Sequence, residues 1–393
     1  MAVTGRPAVL GGDALFADGL PLTRVVVPER EELASRFDEV LSSGQLTDGR
    51  TVREFEEAAA QRLDVPYVVA VSNCTSGLML VLQACGVAGG SVAMPGFTFS
   101  ATAHAAHWAG ATPVFAEVDP DTLTLDPADA AALLERSGAS ALMATHVYGT
   151  PCRVEDLAKV ADDAGVPLVY DAAHAFGSRR AGTPIGGFGT AEVFSLSPTK
   201  VVVAGEGGVI ATRDEELAKA CRLGRGYGNP GNYDCVFPGL NARMSEMHAA
   251  LALVSLRGLS ERVETRTRLV GVFADAIRGV PGLRLPALAE GDVSTWKDLT
   301  LIVEPAAFGL DVPAFAKALR AEGVDTRRYF HPPVHRQQAY AHLPERPLPI
   351  TDDVSARVLT LPLWAHMEDA TVRLLADAVV RLHEHAAEVA AAV

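Results

Sequence analysis

The chain has 393 residues, of which 49% are hydrophobic and 21% charged, and this composition predicts a globular protein with one large domain or two. The formal net charge of −14 argues against nucleic acid as a main partner, because phosphate binding requires clustered positive charge. The five cysteines are scattered without metal-ligand spacing, which predicts buried thiols in a reducing compartment, no disulfide framework and no metal site.

The N-terminal region predicts neither a signal peptide nor a membrane segment. No basic segment precedes a long apolar run there, and no uncharged apolar stretch in the chain reaches membrane-spanning length. We therefore expect a cytoplasmic protein without a membrane partner. Residues 1–28 are rich in Gly and Pro and predict a meandering arm. Two amphipathic helices are predicted next, at Glu31 to Leu41 and at Thr51 to Leu63, with a polar loop between them.

From Tyr67 onward, strand-like and helical patterns alternate. Strand-like runs occur at YVVAV, SVAM, TPVFAEV, ALMATHV, VPLVY, AEVFSL and GGVIAT. Helical patterns lie between many of them, at residues 77–85, 100–109, 127–136 and 154–164. This alternation predicts an α/β fold with a mainly parallel sheet covered by helices on both faces. Functional sites in such sheets lie beyond the carboxyl ends of the strands.

A smaller unit is predicted after the helix at Met244 to Arg257. It contains a long helical stretch, the strand-like run TLIVEP, a second helical pattern and an Ala-rich amphipathic helix that begins at Asp369. The sequence thus predicts a large domain of residues 1–255, which includes the arm, and a small α/β domain of residues 256–393.

Lys200 is the only charged residue between Glu192 and Glu206. An ammonium group is costly to bury in so apolar a run unless it finds a partner or loses its charge. A lysine that forms an imine with an aldehyde uses this environment, since desolvation lowers its pKa and frees the amine as a nucleophile. The alternative is a surface lysine between two edge strands.

Two other predicted strand ends carry polar groups. The turn from Ser72 to Gly77 opens a helix, and free N–H groups at such a start bind an anion, unless the turn is a simple N-cap. Asp171 ends a buried strand, and His174 follows one helical turn later. A carboxylate there can hold a protonated ring nitrogen of a bound heterocycle; the alternative is an N-cap beside a core histidine.

One cofactor requires all three features together. Pyridoxal 5'-phosphate needs an amine to form the imine, a carboxylate to keep its ring nitrogen protonated and an anion pocket for its phosphate. It also needs a flat apolar partner for the ring, and Phe99 in the loop PGFTF is the candidate.

The order of the motifs resembles the DegT/DnrJ/EryC1/StrS aminotransferases, which are pyridoxal-phosphate sugar aminotransferases of fold type I. The matching segments are SGQLTDGRTVREFE, AVSNCTSGLMLVLQA, MPGFTFSATAHA, GATPVFAEVDPDT, THVYGTPC, DAAHAFGS, FSLSPTK, GEGGVI and GLNARMSEMHAA, with YFHPPVH and VLTLPLW near the C-terminus. The resemblance implies that Lys200 is the Schiff-base lysine, that Asp171 contacts the ring nitrogen and that His174 lies beside the ring. It also implies cofactor contacts for a further set of residues: Phe99 on the ring, and Thr75, Ser76 and Ser195 on the phosphate.

Some positions depart from the family pattern. Cys74, in the turn that is predicted to bind the phosphate, stands where Gly is frequent and questions how closely the backbone approaches that group. Tyr170 replaces a common Glu before the aspartate, and Tyr227 replaces a common His. Lys200 argues against the dehydratase branch of the family, which carries His at that position. None of these departures removes a group that the chemistry requires.

The resemblance also implies partners. It predicts a homodimer in which Asn241 or Arg243 completes the neighbour's active site. L-Glutamate would be the amino donor, pyridoxamine phosphate the intermediate cofactor form and a nucleotide-linked keto-deoxy sugar the acceptor. Tyr329, His331 and His335 lie in one predicted loop and are candidates to line the substrate entrance, or else they are solvated loop residues.

The acceptor position is a finer prediction. Family members that act at C3 tend to have Tyr-x-Leu-Gly where this chain has LTDG at residues 46–49, and the motifs resemble the branch that makes dTDP-4-amino-4,6-dideoxy sugars. We therefore expect amination at C4 of a dTDP-4-keto-6-deoxyhexose. The alternatives are a 3-keto sugar, a keto-inositol, or a cofactor- or sugar-binding regulator without turnover. An imine-forming lysine argues against the regulator, because binding alone does not require one.

Overall fold

The computed structural model describes residues 5–393, so the first four residues of the predicted arm lie outside the described part. The helices are α1 (Arg30–Ser43), α2 (Arg50–Leu63), α3 (Cys74–Ala84), α4 (Ser100–Trp108), α5 (Pro127–Ser137), α6 (Val154–Ala164), α7 (Glu215–Gly224), α8 (Glu246–Arg257), α9 (Leu259–Ile277), α10 (Pro305–Phe308), α11 (Val312–Ala321), α12 (Pro349–Arg357), α13 (Asp369–Glu384) and α14 (Ala386–Ala392). The strands are β1 (Tyr67–Val71), β2 (Ser91–Pro95), β3 (Thr112–Ala116), β4 (Ala141–Thr145), β5 (Leu168–Asp171), β6 (Arg179–Arg180), β7 (Thr183–Pro184), β8 (Ala191–Ser195), β9 (Gly208–Thr212), β10 (Leu283–Arg284), β11 (Leu299–Val303) and β12 (Val358–Leu361).

A seven-stranded sheet organises the first part of the chain, in the order β1-β9-β8-β5-β4-β2-β3. All its pairs are parallel except those of β9, which runs antiparallel to β1 and to β8. The predicted mainly parallel sheet is confirmed. Because only β9 is reversed, the carboxyl ends of the other strands meet at one edge, together with the start of β9.

Both faces of this sheet are buried under helices. Along β1, Val69 and Val71 pack on the side of α3, α4 and α7, whereas Val68 and Ala70 pack on the side of α2 and α8. Farther along the sheet, α5 and α6 cover the same second face. The period-two alternation within a fully apolar strand is what a sheet covered on both faces requires.

A second hydrophobic core forms around the antiparallel sheet β10-β11-β12 and helices α9, α11 and α13. Leu20 of the predicted arm is buried in this core, and its backbone bridges to Val324. The arm therefore packs against C-terminal elements. The division of the chain at residue 255 stays a prediction. No helix in residues 5–393 is both long and apolar enough to span a bilayer.

Helix α2 is capped from a distant part of the chain. Its N-cap residue is Gly49, which has no side chain to accept the first N–H groups. The buried carboxylate of Glu246, at the start of α8, accepts instead from the N–H groups of Gly49 and Thr51, both at 2.8 Å, and of Val52 at 3.1 Å. This contact fixes the loop before α2 against the start of α8.

We predict that Glu246→Ala destabilises the protein by about 2–4 kcal/mol, because buried N–H donors at a helix start would lose their acceptor. Denaturant unfolding of the two proteins measures the difference. Glu57→Ala is the control, since Glu57 is exposed on α2, the helix that Glu246 caps, and it should change stability by less than about 0.5 kcal/mol. Equal stability of the Glu246 variant and the wild type would show that solvent replaces the cap.

Candidate active site

The strand ends of the large sheet surround a cavity of about 330 Å³. The structure brings the principal predicted site residues together in its lining, which includes Lys200, Asp171, His174, Cys74, Thr75, Phe99, Ser195 and Tyr329. They come from segments that are widely separated in sequence and are joined only by the topology of the sheet.

Lys200 lies in the connection between β8 and β9. The following residues, including Val202 and Val203, are buried, and the Ser255 hydroxyl accepts the Val203 N–H at 3.0 Å. Burial and the nearby charge of Lys297 lower the pKa of Lys200 to about 8, because both disfavour the ammonium form. The lysine is therefore a cavity residue with a readily available neutral amine, and the surface alternative is excluded.

Asp171 ends β5 and is buried at the base of the cavity. Within residues 5–393 its carboxylate accepts hydrogen bonds only from neutral groups: the Thr102 hydroxyl at 2.7 Å, the Ala173 N–H at 3.1 Å and, weakly, the Cys74 thiol at 3.9 Å. Burial raises the pKa of Asp171, while the hydrogen bonds from Thr102 and Ala173 oppose that rise. A cationic N–H in the cavity would find a carboxylate that has no ion-pair partner among residues 5–393, with only the more distant charges of Lys200 and His146 acting on its pKa.

His174 is held as a neutral imidazole. Its Nδ1 accepts the backbone N–H of Tyr148 at 3.1 Å, so the ring proton resides on Nε2. Burial, together with the charges of Lys200 and Lys297, places the pKa of His174 well below its usual value. The imidazole therefore adds no charge beside Asp171.

The turn before α3 retains free N–H donors. Asn73 caps the helix by accepting the Ser76 N–H at 2.8 Å, and its carbonyl accepts from Gly77 at 3.1 Å. Among the described residues, the first-turn N–H groups of Cys74 and Thr75 remain without an acceptor. These two donors, the helix dipole and the Thr75 side chain can hold an anion.

Two expectations about this turn need refinement. The Ser76 hydroxyl donates to the Asn73 carbonyl at 2.9 Å, and Ser76 does not line the cavity, so its predicted phosphate contact is not supported by the geometry of the chain. The Cys74 thiol points toward the sheet, 3.5 Å from the Val193 carbonyl, which leaves its backbone N–H free. Cysteine in place of glycine therefore does not block an anion.

Gly208 makes the turn before α3 possible, whereas the sequence predicted for it only a place in the tight turn GEGG that leads into the next strand. It pairs with Val71 and with Ser195 at the same edge of the sheet. An added Cβ would lie 2.6 Å from the Asn73 carbonyl carbon and 2.7 Å from the Cys74 nitrogen. The turn packs so closely on β9 that only hydrogen fits at this position.

Aromatic rings form one wall of the cavity. Phe99, which is 56% exposed, lies 6.0 Å from the ring of Phe330, and Phe330 stacks near His174 at 6.4 Å. Phe330 was missed in the sequence, although it follows Tyr329 in the predicted entrance loop. His331 and His335 of that loop do not line the cavity; they contact Ser355 and Asp352 instead.

Asn241 and Arg243 also lie outside the lining of this cavity. The Arg243 guanidinium donates to the Asn241 side chain at 3.2 Å and lies 5.5 Å from the centre of the Tyr227 ring. Arg243 lines a separate surface cavity of about 570 Å³. Within one chain, these residues do not reach Lys200.

The structure adds polar residues that the sequence did not indicate. Thr102 reaches Asp171 from α4, and its own hydroxyl contacts Thr98 at 2.8 Å. Lys297 and Asp298 enter the cavity from the C-terminal part of the chain. The spacing of Thr102 from Phe99 places it one helical turn into α4, which was the only signal available for it.

A larger groove of about 720 Å³ runs along the edge strand β3. Its described lining includes His335 and Tyr340 but no lysine, and two of its three arginines, Arg336 and Arg346, are paired with Asp352 and Asp129. The groove therefore lacks the nucleophile and the unpaired carboxylate of the smaller cavity.

The cavity fits pyridoxal phosphate by the chemistry of its donors. Asp171 supplies an uncompensated carboxylate for a ring N–H, Lys200 supplies an amine for the aldehyde, and the N–H groups of Cys74 and Thr75 supply the anion pocket. The exposed face of Phe99 supplies the flat apolar contact.

The chain matches the model of the DegT/DnrJ/EryC1/StrS aminotransferase family over residues 28–380. It is 32% identical over 357 residues to a dTDP-3-amino-3,4,6-trideoxy-alpha-D-glucose transaminase of Streptomyces venezuelae, covering 89% of this chain and 92% of that protein. It is 34% identical over 330 residues to a GDP-perosamine synthase of Caulobacter vibrioides, covering 82% of this chain and 88% of that protein.

The fold is also similar to solved structures. The structure of DesI, determined in the presence of its TDP-sugar product, superposes with a TM-score of 0.90 at 38% identity and covers 95% of each chain. DesV of S. venezuelae, in complex with a ketimine intermediate, superposes with a TM-score of 0.85 at 31% identity over 92% of this chain and 99% of that one. These likenesses confirm the predicted fold class.

We predict that the rate at which acetic anhydride acetylates Lys200 in the cofactor-free protein reaches half of its high-pH value near pH 8, because burial and Lys297 favour the neutral amine. Peptide mass spectrometry at a series of pH values measures the labelled fraction. Lys159 is the internal control: Asp163 raises the pKa of Lys159, so its labelling should begin at much higher pH. Parallel titration of both lysines would show that the cavity does not depress the pKa of Lys200.

Proposed function

The chain belongs to the DegT/DnrJ/EryC1/StrS aminotransferase family, and we propose that it transfers an amino group from L-glutamate to C4 of a dTDP-4-keto-6-deoxyhexose. It is a pyridoxal-phosphate-dependent sugar aminotransferase. The observation that carries the proposal is the single cavity in which an unpaired lysine, an uncompensated carboxylate and an anion-binding turn converge. A protein that only bound the cofactor or the sugar would not need an imine-forming lysine.

Different residues of the chain would bind different parts of the cofactor. When bound, pyridoxal phosphate supplies an aldehyde that captures amines and a ring that accepts electron density. Lys200 would hold it covalently through Nζ. Asp171 would hold a proton at the ring nitrogen, and Thr102 would keep that carboxylate in place. Thr75, Ser195 and the free N–H groups at the start of α3 would bind the phosphate.

Lys200 also performs the proton transfer. When an amino donor occupies the cofactor, the free Nζ would take a proton from the donor's α-carbon and deliver it to the cofactor within the first half-reaction, and it would move a proton from the cofactor to the sugar carbon within the second. A pKa near 8 suits both directions, because about a tenth of the groups are then neutral amines at pH 7 while the ammonium form remains available to return a proton. Neutral His174 stands beside Asp171 without competing for its charge.

The proposed acceptor is supported by the names of related proteins and by one sequence motif. The names of two relatives specify nucleotide sugars or their products, and the structure of DesI was determined with a TDP-sugar. The LTDG loop at residues 46–49 supports C4. A 3-keto sugar is the second candidate, because the Streptomyces relative is named as a 3-amino sugar transaminase.

A second chain would complete the site. Arg243 lines a surface cavity together with the exposed aromatic side chains of Tyr227 and Tyr233, of which Tyr233 is 93% exposed. Exposed apolar groups near an arginine are typical of protein interfaces. We place this surface against a second copy of the chain, with Asn241 or Arg243 reaching the partner's phosphate.

The acceptor is tested by incubating the enzyme and glutamate with a panel of nucleotide keto sugars. The panel holds dTDP- and GDP-linked 4-keto-6-deoxyhexoses, a dTDP-linked 3-keto sugar and a keto-inositol. We expect the dTDP-4-keto sugar to give the amino sugar at the highest rate, with NMR locating nitrogen on C4. Preferred amination at C3, or of the inositol, would contradict the proposal.

Asp171→Asn should slow turnover by about 100-fold or more, because the amide cannot hold a proton on the ring nitrogen by charge. Thr102→Val should cause a smaller loss, about tenfold, since it removes only a hydrogen bond to that carboxylate. Steady-state kinetics and circular dichroism of both variants measure activity and folding. A folded Asp171 variant with near-normal turnover would reduce Asp171 to a structural cap.

Heterodimers of an inactive Lys200→Ala chain and an inactive Arg243→Ala chain should recover activity. By two-fold symmetry, one site would carry both defects and the other neither, so the expected recovery is about half that of the wild type. The two chains are coexpressed with different tags and purified sequentially. Verified heterodimers without activity would show that Arg243 does not act in the partner's active site. Asn241→Ala would then replace Arg243→Ala in the test.

A further inference from the structure

Lys297 and Asp298 form an ion pair in the wall of the cavity that holds Lys200. The distance from Lys297 Nζ to Asp298 Oδ1 is 2.7 Å, and their side chains are 7% and 5% exposed. The other carboxylate oxygen, Asp298 Oδ2, is buried and has no hydrogen-bond partner among residues 5–393. Buried polar atoms are normally paired, so an orphaned oxygen in a cavity wall indicates a missing donor.

The pair is held in place independently of any ligand. The buried guanidinium of Arg266 donates to the carbonyls of Trp296 and Lys297 at 2.6–2.9 Å. The Lys297 N–H donates to the Tyr148 carbonyl at 2.8 Å, and Trp296 adopts a positive φ of 46°. Backbone strain of this kind persists where the surrounding contacts impose it, and it is frequent at ligand sites. The pair is thus preorganised.

The arrangement suits a neutral hydroxyl better than other groups. Asp298 Oδ2 can only accept a hydrogen bond while ionised, and Lys297 keeps donors beyond the one that it gives to Oδ1. A hydroxyl can both donate to Oδ2 and accept from Nζ. A carboxylate ligand would meet the charge of Asp298, and an apolar group would leave Oδ2 unpaired.

The presence of this ion pair is not explained by an effect on the pKa of Lys200. Lys297 lowers the pKa of Lys200 whereas Asp298 raises it, so the two partners oppose each other. Building on the sugar acceptor proposed above, we propose that Lys297 and Asp298 bind a ring hydroxyl of the keto sugar and select acceptors that carry it. They are specificity-determining residues for the second half of the reaction.

The test compares dTDP-4-keto-6-deoxyglucose with its 2-deoxy and 3-deoxy analogues. For the wild-type holoenzyme, kcat/KM should fall by about 100-fold or more for the analogue that lacks the recognised hydroxyl. The variant Lys297→Met/Asp298→Leu replaces the pair with apolar side chains of similar size, which proteins often tolerate. In this variant the kcat/KM values for the parent sugar and for that analogue should differ by no more than about threefold, because neither hydrogen-bonding group remains.

The half-reaction with glutamate distinguishes loss of sugar recognition from general damage to the active site. In the double variant it should lose far less rate than the half-reaction with the sugar, because the amino donor does not need the hydroxyl site and the opposing effects of Lys297 and Asp298 on Lys200 are removed together. Titration calorimetry with the aminated dTDP sugar and its deoxy analogues should show that the double variant no longer binds the hydroxylated sugar more tightly than the deoxy ones. The matched control, Asp129→Asn/Arg346→Met, removes an ion pair outside the cavity and should keep the wild-type preference.

Three results would overturn the inference: equal kcat/KM of the wild type for all three sugars, full discrimination in the double variant, or an equal loss in both half-reactions. If the double variant does not fold, Asp298→Asn replaces the acceptor Oδ2 by a donor and should lower the discrimination by about tenfold. A wild-type enzyme that aminates no nucleotide keto sugar would contradict the proposed function itself.

Discussion

The site depends on keeping a lysine and a carboxylate in one cavity, where neither has an ionic partner among residues 5–393. Burial lowers the pKa of Lys200 and raises the pKa of Asp171, so each group is displaced from its preferred charged form. In an ordinary core such groups would pair or be replaced by apolar residues. Here Asp171 is held by the neutral donors Thr102 and Ala173, and Lys200 shares the cavity with the ion pair of Lys297 and Asp298, whose charges act on its pKa in opposite directions. Such an arrangement stores interaction free energy that a ligand can release.

The topology of the sheet supplies the geometry for this arrangement. Parallel strands bring the ends of β4, β5 and β8 to one edge, and the reversed strand β9 starts there with Gly208 under the turn that precedes α3. Helix α9 then joins the C-terminal elements to this edge, because Arg266 binds the backbone that carries Lys297 and Asp298. The chemistry of the first half of the chain and the proposed recognition of the sugar by the second half thus meet in one cavity.

The sequence predicts the groups whose chemistry is unusual for their surroundings. Lys200 was identifiable from its isolation in an apolar run, and Asp171 from its position at a strand end. Thr102 and the pair at Lys297 and Asp298 were not, since a threonine in a helix and a Lys-Asp dipeptide before a strand are common anywhere. The Ser76 hydroxyl donates to the Asn73 carbonyl, so its phosphate contact stays a prediction that the geometry does not support. Helix α3 starts at Cys74 rather than near Gly77, because the Asn73 side chain caps it. A role for Arg243 across an interface depends on a second chain, which local sequence patterns do not encode.

The most direct measurement of the central claim is the site of covalent attachment of the cofactor. The holoenzyme is reduced with borohydride, digested and mapped by mass spectrometry. The account predicts one stable pyridoxyl adduct, on the peptide that contains Lys200, and its loss together with activity in Lys200→Ala. An adduct on Lys297, the other lysine of the cavity, or on a surface lysine would contradict the account, because the amine beside Asp171 would then have no part in holding the cofactor.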